Sequence, residues 1–222
     1  MIPLRDSEPS LSTPFVTISL ITVNALVFFY ELSLDRFSLN HLIAAHGLIP
    51  GRLHLDAFVT SMFLHGGWLH LIGNMWFLWI FGDNIEDILG HAKYLLFYLL
   101  CGVAAAVVNA AFNADSRLPT IGASGAIAGV MGAYLLKFRH ARIVTLIPIF
   151  FFFTTMEIPA VYILLYWFAV QLISGFGSIG YSQLSQGGVA WFAHVGGFLA
   201  GMVLMLLMGR GEPHRRRRDL SW

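Results

Sequence analysis

Charged side chains are scarce in this sequence. Only 11% of its 222 residues are charged, whereas 57% are hydrophobic and the mean hydropathy is +0.73. An average soluble domain carries about 25% charged residues, so this chain has too little charge to cover a surface that faces water. The sequence therefore predicts an integral membrane protein.

Cysteine is nearly absent as well. Cys101 is the single cysteine, which excludes an intramolecular disulfide and a cysteine-based metal site. His65 and His70 have no carboxylate or cysteine beside them at ligand spacing, so we expect no metal and no cofactor. The one dense basic run, residues 215–218, lacks interleaved aromatic residues, so nucleic acid is not expected as a partner.

Six long apolar segments are present, separated by polar or turn-rich breaks. They cover roughly residues 14–33, 67–85, 93–113, 122–138, 157–176 and 189–209. Most approach the roughly 20 residues that a helix needs to cross hydrocarbon. The sequence thus predicts an all-α membrane protein, a bundle of six transmembrane helices at 14–210, between a short segment at 1–13 and a basic tail at 211–222.

One apolar stretch is too short to cross the membrane as a helix. The sequence IVTLIPIFFFF at 143–153 has 11 residues, and Pro148 and Pro159 interrupt the region around it. We predict that it forms a buried or interfacial connection that leads into the fifth helix.

Basic residues are distributed unevenly between the two sides of this predicted bundle. Six spans place both termini on one side, which carries ten of the 13 basic residues: Arg5, Lys93, Lys137, Arg139, Arg142, Arg210 and residues 215–218. The other side carries Arg36, Arg52 and Arg117. The positive-inside rule then predicts that both termini are cytoplasmic. The connection at about 34–66 is external, and at this length it is functional or partly embedded in the membrane.

Three groups of polar residues lie within the predicted spans, where such residues are costly. His70 and Asn74 share one face of the second helix, because they are four residues apart. Ser124 begins the fourth helix, and His194 lies near the start of the sixth. All three helices enter from the outer side, so these residues lie within about 10 Å of the same membrane face.

Such a layer can perform acyl transfer, although each member alone has a simpler explanation. A lone serine in a membrane helix usually bonds to its own helix, and a lone histidine often links two helices. Together, His194 can activate the hydroxyl of Ser124 as a base. The N–H of Ser124 and the side chains of His70 and Asn74 are candidate donors to an oxyanion.

We expect a Ser–His dyad with no acidic third member. The sequence places no acidic residue on this layer of the predicted spans. Glu86 and Glu157 lie toward the cytoplasmic ends of their predicted helices, where we expect them to act as anchors or helix caps.

Glycines are spaced for close helix packing in the fourth and sixth helices. Gly125, Gly129 and Gly132 recur on the fourth helix, and Gly197 and Gly201 on the sixth. Small residues at this spacing let two backbones approach closely in lipid. They are common packing positions in any bundle, and here they would also bring Ser124 within reach of His194.

These motifs resemble those of the rhomboid family of intramembrane serine proteases. Gly122-Ala123-Ser124-Gly125 is similar to the family's G-x-S-G, His70 and Asn74 to its H-x-x-x-N, and Ala193, His194 and Gly197 to its A-H-x-x-G. The resemblance covers nearly the whole chain. Many members carry a tyrosine four residues after the serine, where its ring packs against the histidine, but here that position is Ala128.

The resemblance implies a role for each of these residues. Ser124 would be the nucleophile, His194 the general base, and His70, Asn74 and the Ser124 amide the oxyanion hole, with Gly122 shaping the turn. The substrates would be membrane-anchored proteins that are cut in or near their transmembrane segments. Residues 177–188 would form a flexible cap, and the fifth helix, with Trp167 and Phe168, would lie on the side of a lateral gate.

Two other functions compete with this interpretation. One is an inactive rhomboid-like protein that binds membrane clients, and the presence of both Ser124 and His194 counts against it. The other is a small transporter, which would have polar groups at several depths and internal repeats; neither is clear here. The resemblance further implies a multi-pass protein of a bacterial cell (inner) membrane, and the sequence does not define an oligomeric state.

Overall fold

The computed structural model describes residues 2–149, 152–178 and 190–209 of the chain. Within these ranges it contains eight α-helices, one 3₁₀ turn and a three-stranded sheet. The helices are α1 (Phe15–Ser33), α2 (Arg36–His46), α3 (Ala57–Thr60), α4 (Trp68–Leu89), α5 (His91–Phe112), α6 (Ser124–Lys137), α7 (Ala160–Ser178) and α8 (Trp191–Met208), and the 3₁₀ turn is Ser61–Phe63. The strands are β1 (Ile2–Asp6), β2 (Arg142–Ile149) and β3 (Phe152–Pro159).

The predicted helical membrane bundle is confirmed. The six longest helices, α1 and α4–α8, correspond to the six predicted segments. Within the described residues, α1, α5 and α8 are each long and apolar enough to cross a bilayer alone, and α7 contains a shorter apolar stretch, Ala160–Phe176. Their outer faces expose large apolar side chains such as Leu26, Phe29 and Leu207. Exposed apolar surface of this extent suits contact with lipid.

Helix α6 lies at the centre of the bundle. It has 14 residues, of which 11 are buried, from Gly125 to Leu135. A helix of that length spans only about 21 Å, at 1.5 Å per residue. It can be shorter than the bilayer because its neighbours, rather than lipid, surround it.

The predicted glycine packing between α6 and α8 is confirmed. A Cβ atom on Gly197 would collide with the carbonyl oxygen of Gly125, and one on Gly201 with that of Gly129. On the other side of α6, a Cβ on Gly129 would lie 2.5 Å from Cys101 of α5. The backbones therefore approach so closely that only glycine fits at these positions.

The connection between α6 and α7 is a β-hairpin, which the sequence did not predict. Strands β2 and β3 pair antiparallel, with Ile143 opposite Ile158, and the N-terminal strand β1 pairs with the other edge of β2. Its β-branched and aromatic residues fit a strand better than a helix. The predicted start of the fifth helix at 157 is also wrong, because Pro159 disfavours helical geometry at Ile158 and α7 begins at Ala160.

The first and last described residues of the chain lie on the same side of the bundle, near the three-stranded sheet. Strand β1 contacts β2, which follows α6, and Gly209 after α8 lies close to Lys137 at the end of α6. This agrees with an even number of spans. The predicted basic tail at 211–222 lies outside the described residues, as does most of the predicted cap at 177–188.

Glu86 of α4 caps the N-terminus of α1. Its carboxylate accepts the backbone N–H groups of Val16 and Thr17, each at 2.8 Å. The first N–H groups of a helix have no acceptor within that helix, so a buried carboxylate there satisfies two of them. Glu157, in contrast, is exposed on β3 and pairs with Arg142 at 3.6 Å. The expectation of an anchor or cap is thus confirmed for Glu86.

The long connection after α1 is folded and attached to the segment that precedes α6. Leu48 forms an isolated β-bridge with Thr120, and Gly51 N–H donates to the Ser116 carbonyl at 2.8 Å. The Gly122 N–H donates to the Ser61 carbonyl at 2.9 Å. These bonds fix the turn from which Ser124 emerges.

Candidate functional site

Ser124 is the first residue of α6 and is half-buried. Gly122, two residues earlier, has φ +118°, which side chains other than glycine rarely adopt. A Cβ on Gly122 would also lie 2.6 Å from the Nε2 atom of His70. Glycine at this position therefore makes the turn possible and lets α4 approach the start of α6.

His194 is the fourth residue of α8, and only 8% of it is exposed. Its Nε2 atom lies 2.8 Å from the Oγ atom of Ser124. Two hydroxyls of α1 behave differently: Ser19 and Thr22 bond to carbonyls of their own helix, those of Phe15 and Ile18. The Ser124 hydroxyl instead bonds to another helix, so the simple explanation for a serine in a membrane helix does not fit its contacts.

The other ring nitrogen of His194 bonds to a residue that sequence analysis missed. Its Nδ1 atom lies 2.7 Å from the Oε1 atom of Gln171 on α7, which is buried. Trp167, one helical turn before Gln171, places its ring 5.6 Å from the imidazole. The sequence signal was their spacing of four residues, which puts Trp167 and Gln171 on one face of α7.

His70 has the opposite arrangement of its ring nitrogens. Its Nδ1 atom accepts the backbone N–H of Gly66 at 3.3 Å. In a neutral imidazole the other nitrogen then carries the proton, so Nε2–H is a donor. The Nε2 atom of His70 lies beside Gly122, because a Cβ built on Gly122 would be 2.6 Å from it.

Asn74 presents a second donor at the same place. Only 7% of this residue is exposed, and its Nδ2 atom has no hydrogen-bond acceptor among the described residues. A Cβ on Gly122 would lie 3.6 Å from that nitrogen. The side chains of His70 and Asn74 therefore converge beside the turn that leads into Ser124.

These residues border a cavity of about 730 Å³. Its polar lining includes His70, Asn74, Thr120, Ser124 and His194, and its apolar lining includes Leu69, Phe77, Ile127, Met131 and Trp167. The structure thus brings the four predicted polar side chains of α4, α6 and α8 to one space. A mostly apolar cavity with a few convergent polar groups is typical of a binding site.

His65 lies next to His70 but does not line this cavity. Its ring lies behind that of His70, with the centroids 5.1 Å apart, and only 3% of the residue is exposed. Burial, and then the neighbouring His70, lower the pKa of His65 to about 4. His65 is therefore neutral at pH 7 and supports the ring of His70 by packing.

An acidic residue does lie at this end of the bundle, contrary to the expectation that the spans place none on this layer. Glu31 of α1 is buried and accepts the backbone N–H of His65 through both carboxylate oxygens, at 3.2 Å. Glu31 lies on α1, which carries none of the polar motifs of α4, α6 and α8. Glu31 holds the chain before α4, whereas His194 is held by Gln171.

The residues that the structure describes contain no group of three histidine, cysteine or acidic side chains that could hold a metal ion. A hydroxyl bonded to an unprotonated imidazole nitrogen is poised to attack a carbonyl. Two converging N–H donors can stabilise the oxyanion that such an attack creates.

The fold and this site define a helical membrane protein with a serine and a histidine in contact at the border of a cavity. The sequence model of the Rhomboid domain matches residues 52–211. The chain belongs to the rhomboid family.

Several curated proteins share this similarity. Rhomboid-like protein 11, chloroplastic, from Arabidopsis thaliana is 31% identical over 169 residues, which is 74% of this chain and 56% of the relative. Rhomboid protein 1, mitochondrial, from Saccharomyces cerevisiae is 26% identical over 190 residues, or 84% of this chain and 50% of the relative. Rhomboid protease GluP from Bacillus subtilis is 39% identical over 77 residues, which is 35% of this chain and 15% of that protein.

The chain spans between about a quarter and just over half the length of the first relatives it matches. One of these relatives is named a protease, and others are named only rhomboid-like. Membership of the family therefore does not by itself define the activity of this chain.

Proposed function

We propose that this protein is an intramembrane serine endopeptidase that cleaves membrane-anchored proteins in or near their transmembrane segments. Ser124 is the nucleophile and His194 the general base of a catalytic dyad. The observation that carries the proposal is the 2.8 Å contact between Ser124 Oγ and His194 Nε2, at the border of the cavity. The match to the Rhomboid domain supports it.

The first half of the reaction forms an acyl-enzyme. The Oγ atom of Ser124 attacks the scissile carbonyl carbon and its proton passes to Nε2 of His194. The carbonyl oxygen becomes an oxyanion, which accepts hydrogen bonds from His70 Nε2–H, Asn74 Nδ2–H and the Ser124 backbone N–H. His194 then protonates the leaving amine, the peptide C–N bond breaks, and the new N-terminus departs.

The second half consumes water. A water molecule attacks the ester of Ser124 while His194 Nε2 accepts its proton. The oxyanion forms again at the same donors, and collapse returns the proton to Ser124 Oγ and releases the new carboxylate. Water must therefore enter the cavity, and the polar side chains on its wall can solvate it.

A membrane-embedded substrate follows from the location of the site. Ser124 and His194 begin helices of a bundle whose outer faces are apolar, so a substrate that reaches them is itself held in or at the bilayer. We place both termini in the cytoplasm on the basis of the charge distribution, and the protein in a bacterial cell membrane on the basis of its resemblance to the rhomboid family. The site then opens toward the outer side.

The test is cleavage in proteoliposomes. The purified protein is reconstituted with a labelled single-span substrate, beside Ser124→Ala and the control Ser19→Ala, whose hydroxyl bonds only within α1. We expect cleavage by the wild type and by Ser19→Ala, and none by Ser124→Ala. Substrate binding without Ser124-dependent cleavage would contradict the proposal and favour a client-binding protein.

A further inference from the structure

We propose that Gln171 is a positioning residue for the catalytic base, which α7 thereby orients. The Gln171 side-chain oxygen accepts the Nδ1–H of His194 and so leaves Nε2 unprotonated toward Ser124. This inference rests on the proposed function, since it assigns a role in the same site.

The contacts of the imidazole support this role. His194 Nδ1 lies 2.7 Å from Gln171 Oε1, and His194 Nε2 lies 2.8 Å from Ser124 Oγ. A neutral imidazole carries one proton, so a single tautomer satisfies both contacts: Nδ1–H donates and Nε2 accepts from the serine hydroxyl. In the other tautomer Nε2–H faces the hydroxyl and Nδ1 faces a carbonyl oxygen, which would set two lone pairs against each other. Gln171 thus selects the tautomer that can act as a base.

The same face of α7 packs against the imidazole. The ring of Trp167 lies 5.6 Å from that of His194, and Phe168 stacks on Phe198 of α8 with centroids 4.6 Å apart. Leu164 on this face is fully buried. The opposite face of α7 exposes Tyr162, Tyr166, Ile173 and Phe176. Gln171 is therefore a polar residue on an otherwise apolar contact face.

Helix α6 contributes no aromatic ring one turn after Ser124. The residue there is Ala128, which is small and fully buried. The imidazole is instead held from α7 and by Trp191, whose ring is perpendicular to it at 6.5 Å. The orientation of His194 consequently depends on how α7 packs against α8, and a displacement of α7 would withdraw the acceptor from Nδ1.

An amide has a specific consequence that a carboxylate would not have. Gln171 fixes the tautomer without adding charge, so it does not favour the imidazolium over the neutral base. A Gln171→Glu change would retain an acceptor and add a charge beside Nδ1. This difference separates a positioning role from a packing role.

The experiment compares Gln171→Leu, Gln171→Glu and the control Asn24→Leu, which removes a buried amide of α1 that donates to its own helix. Cleavage of a membrane substrate gives kcat and KM, and fluorophosphonate labelling reports the reactivity of Ser124. For Gln171→Leu we expect kcat and the labelling rate to fall by about 10- to 100-fold, which is less than the roughly 10²- to 10⁴-fold that the acid–base group itself contributes, because His194 is still present. KM and the midpoint of thermal unfolding should stay close to those of Asn24→Leu.

Gln171→Glu should recover activity relative to Gln171→Leu at alkaline pH. Because a carboxylate favours the protonated imidazole, the acidic limb of its pH–rate profile should move to higher pH. Wild-type kcat in Gln171→Leu, or an unmoved limb in Gln171→Glu, would overturn the role of Gln171. If the wild type itself shows no Ser124-dependent cleavage or labelling, the proposed function is contradicted. The two failures are therefore distinguishable.

Discussion

The backbone N–H of Gly66 donates to Nδ1 of His70 at 3.3 Å, which leaves His70 Nε2–H as a donor beside Gly122. The proton of His194 is placed on the other nitrogen, since Nδ1 faces Gln171 and Nε2 faces Ser124. The two histidines that border the cavity thus hold opposite tautomers. In the proposed mechanism His70 donates to the oxyanion and His194 accepts the serine proton, so their roles are not interchangeable.

The oxyanion hole gives the first prediction. Loss of one donor costs about 10²- to 10³-fold in rate in other enzymes. Asn74→Ala should therefore lower kcat strongly and change KM less. His70→Ala should also lower kcat, without moving the acidic limb of the pH–rate profile, because His70 is not the base. Unchanged kcat in Asn74→Ala would show that its amide only packs or binds water, and a moved limb in His70→Ala would make His70 the base.

The glycine contacts between α6 and α8 give the second prediction. A single methyl group on Gly197 or Gly201 would collide with a backbone carbonyl of α6. Gly197→Ala and Gly201→Ala should therefore lower the midpoint of thermal unfolding and reduce activity, since they push α8 and His194 away from Ser124.

Gly73→Ala is the matched stability control for this pair. Gly73 also lies in a helix, but a Cβ there has no neighbour within 4 Å. This variant should unfold at the wild-type temperature or above it, because alanine favours helix. If all three variants unfold at the same temperature, close approach of α6 and α8 does not stabilise the bundle.

Much of this architecture could be predicted from the sequence, because the length and polarity of each apolar segment indicate a helix and its orientation. The predicted spans of α4, α6 and α8 enter from one side of the membrane. The distance of each polar residue from the start of its helix therefore predicts one level for Ser124, His194, His70 and Asn74. The contact between Ser124 and His194 depends on the glycines of α6 and α8, whose spacing is also apparent in the sequence.

The features that were missed depend on partners far away in the chain. Strand β1 pairs with β2 about 140 residues later, and an apolar run in a membrane protein is easily taken for a helix or an interfacial segment. Gln171 resembles a scattered polar residue until α7 packs on α8. Glu31 lies in an apolar helix without a motif, and only the folded connection brings the His65 N–H to it.

The Glu86 cap gives the third prediction. Glu86→Ala leaves the N–H groups of the partly buried Val16 and the buried Thr17 without acceptors, at about 1–3 kcal/mol for each unsatisfied group. The free energy of unfolding should therefore fall by about 2–6 kcal/mol for the two groups together. Glu157→Ala is the control, because an exposed ion pair contributes about 0–1 kcal/mol. Equal stabilities of the two variants, measured by denaturant unfolding in detergent, would contradict the capping role.

Asp6 gives the fourth prediction, which concerns pH. Its Oδ2 atom accepts the hydroxyl of Tyr134 at 2.6 Å and the amide of Asn84 at 3.0 Å. Burial raises the pKa of Asp6 from 3.8 to about 7; the Tyr134 hydrogen bond opposes this, and Asp83 and Glu8 raise it further. The folded chain then binds more protons than the unfolded chain between about pH 4 and pH 7. Stability contributed by docked β1 should fall as pH rises through this window and stay constant above it.

The variant Asp6→Asn tests this sign. It keeps an acceptor and removes the titration, so the slope of unfolding temperature between pH 5 and pH 7 should flatten and stability at pH 8 should rise. Glu157→Gln, at an exposed carboxylate, should leave the slope as in the wild type. If the slope persists in Asp6→Asn, the pH dependence comes from another titratable group.

The most direct test of the central claim is fluorophosphonate labelling of the reconstituted protein, with the modified residue located by mass spectrometry. The dyad predicts one label per chain, on Ser124, and none in Ser124→Ala or His194→Ala. The double variant should lose little more cleavage than either single variant, because the two residues act as one unit. Labelling of another residue, or an undiminished label on Ser124 in His194→Ala, would contradict the account.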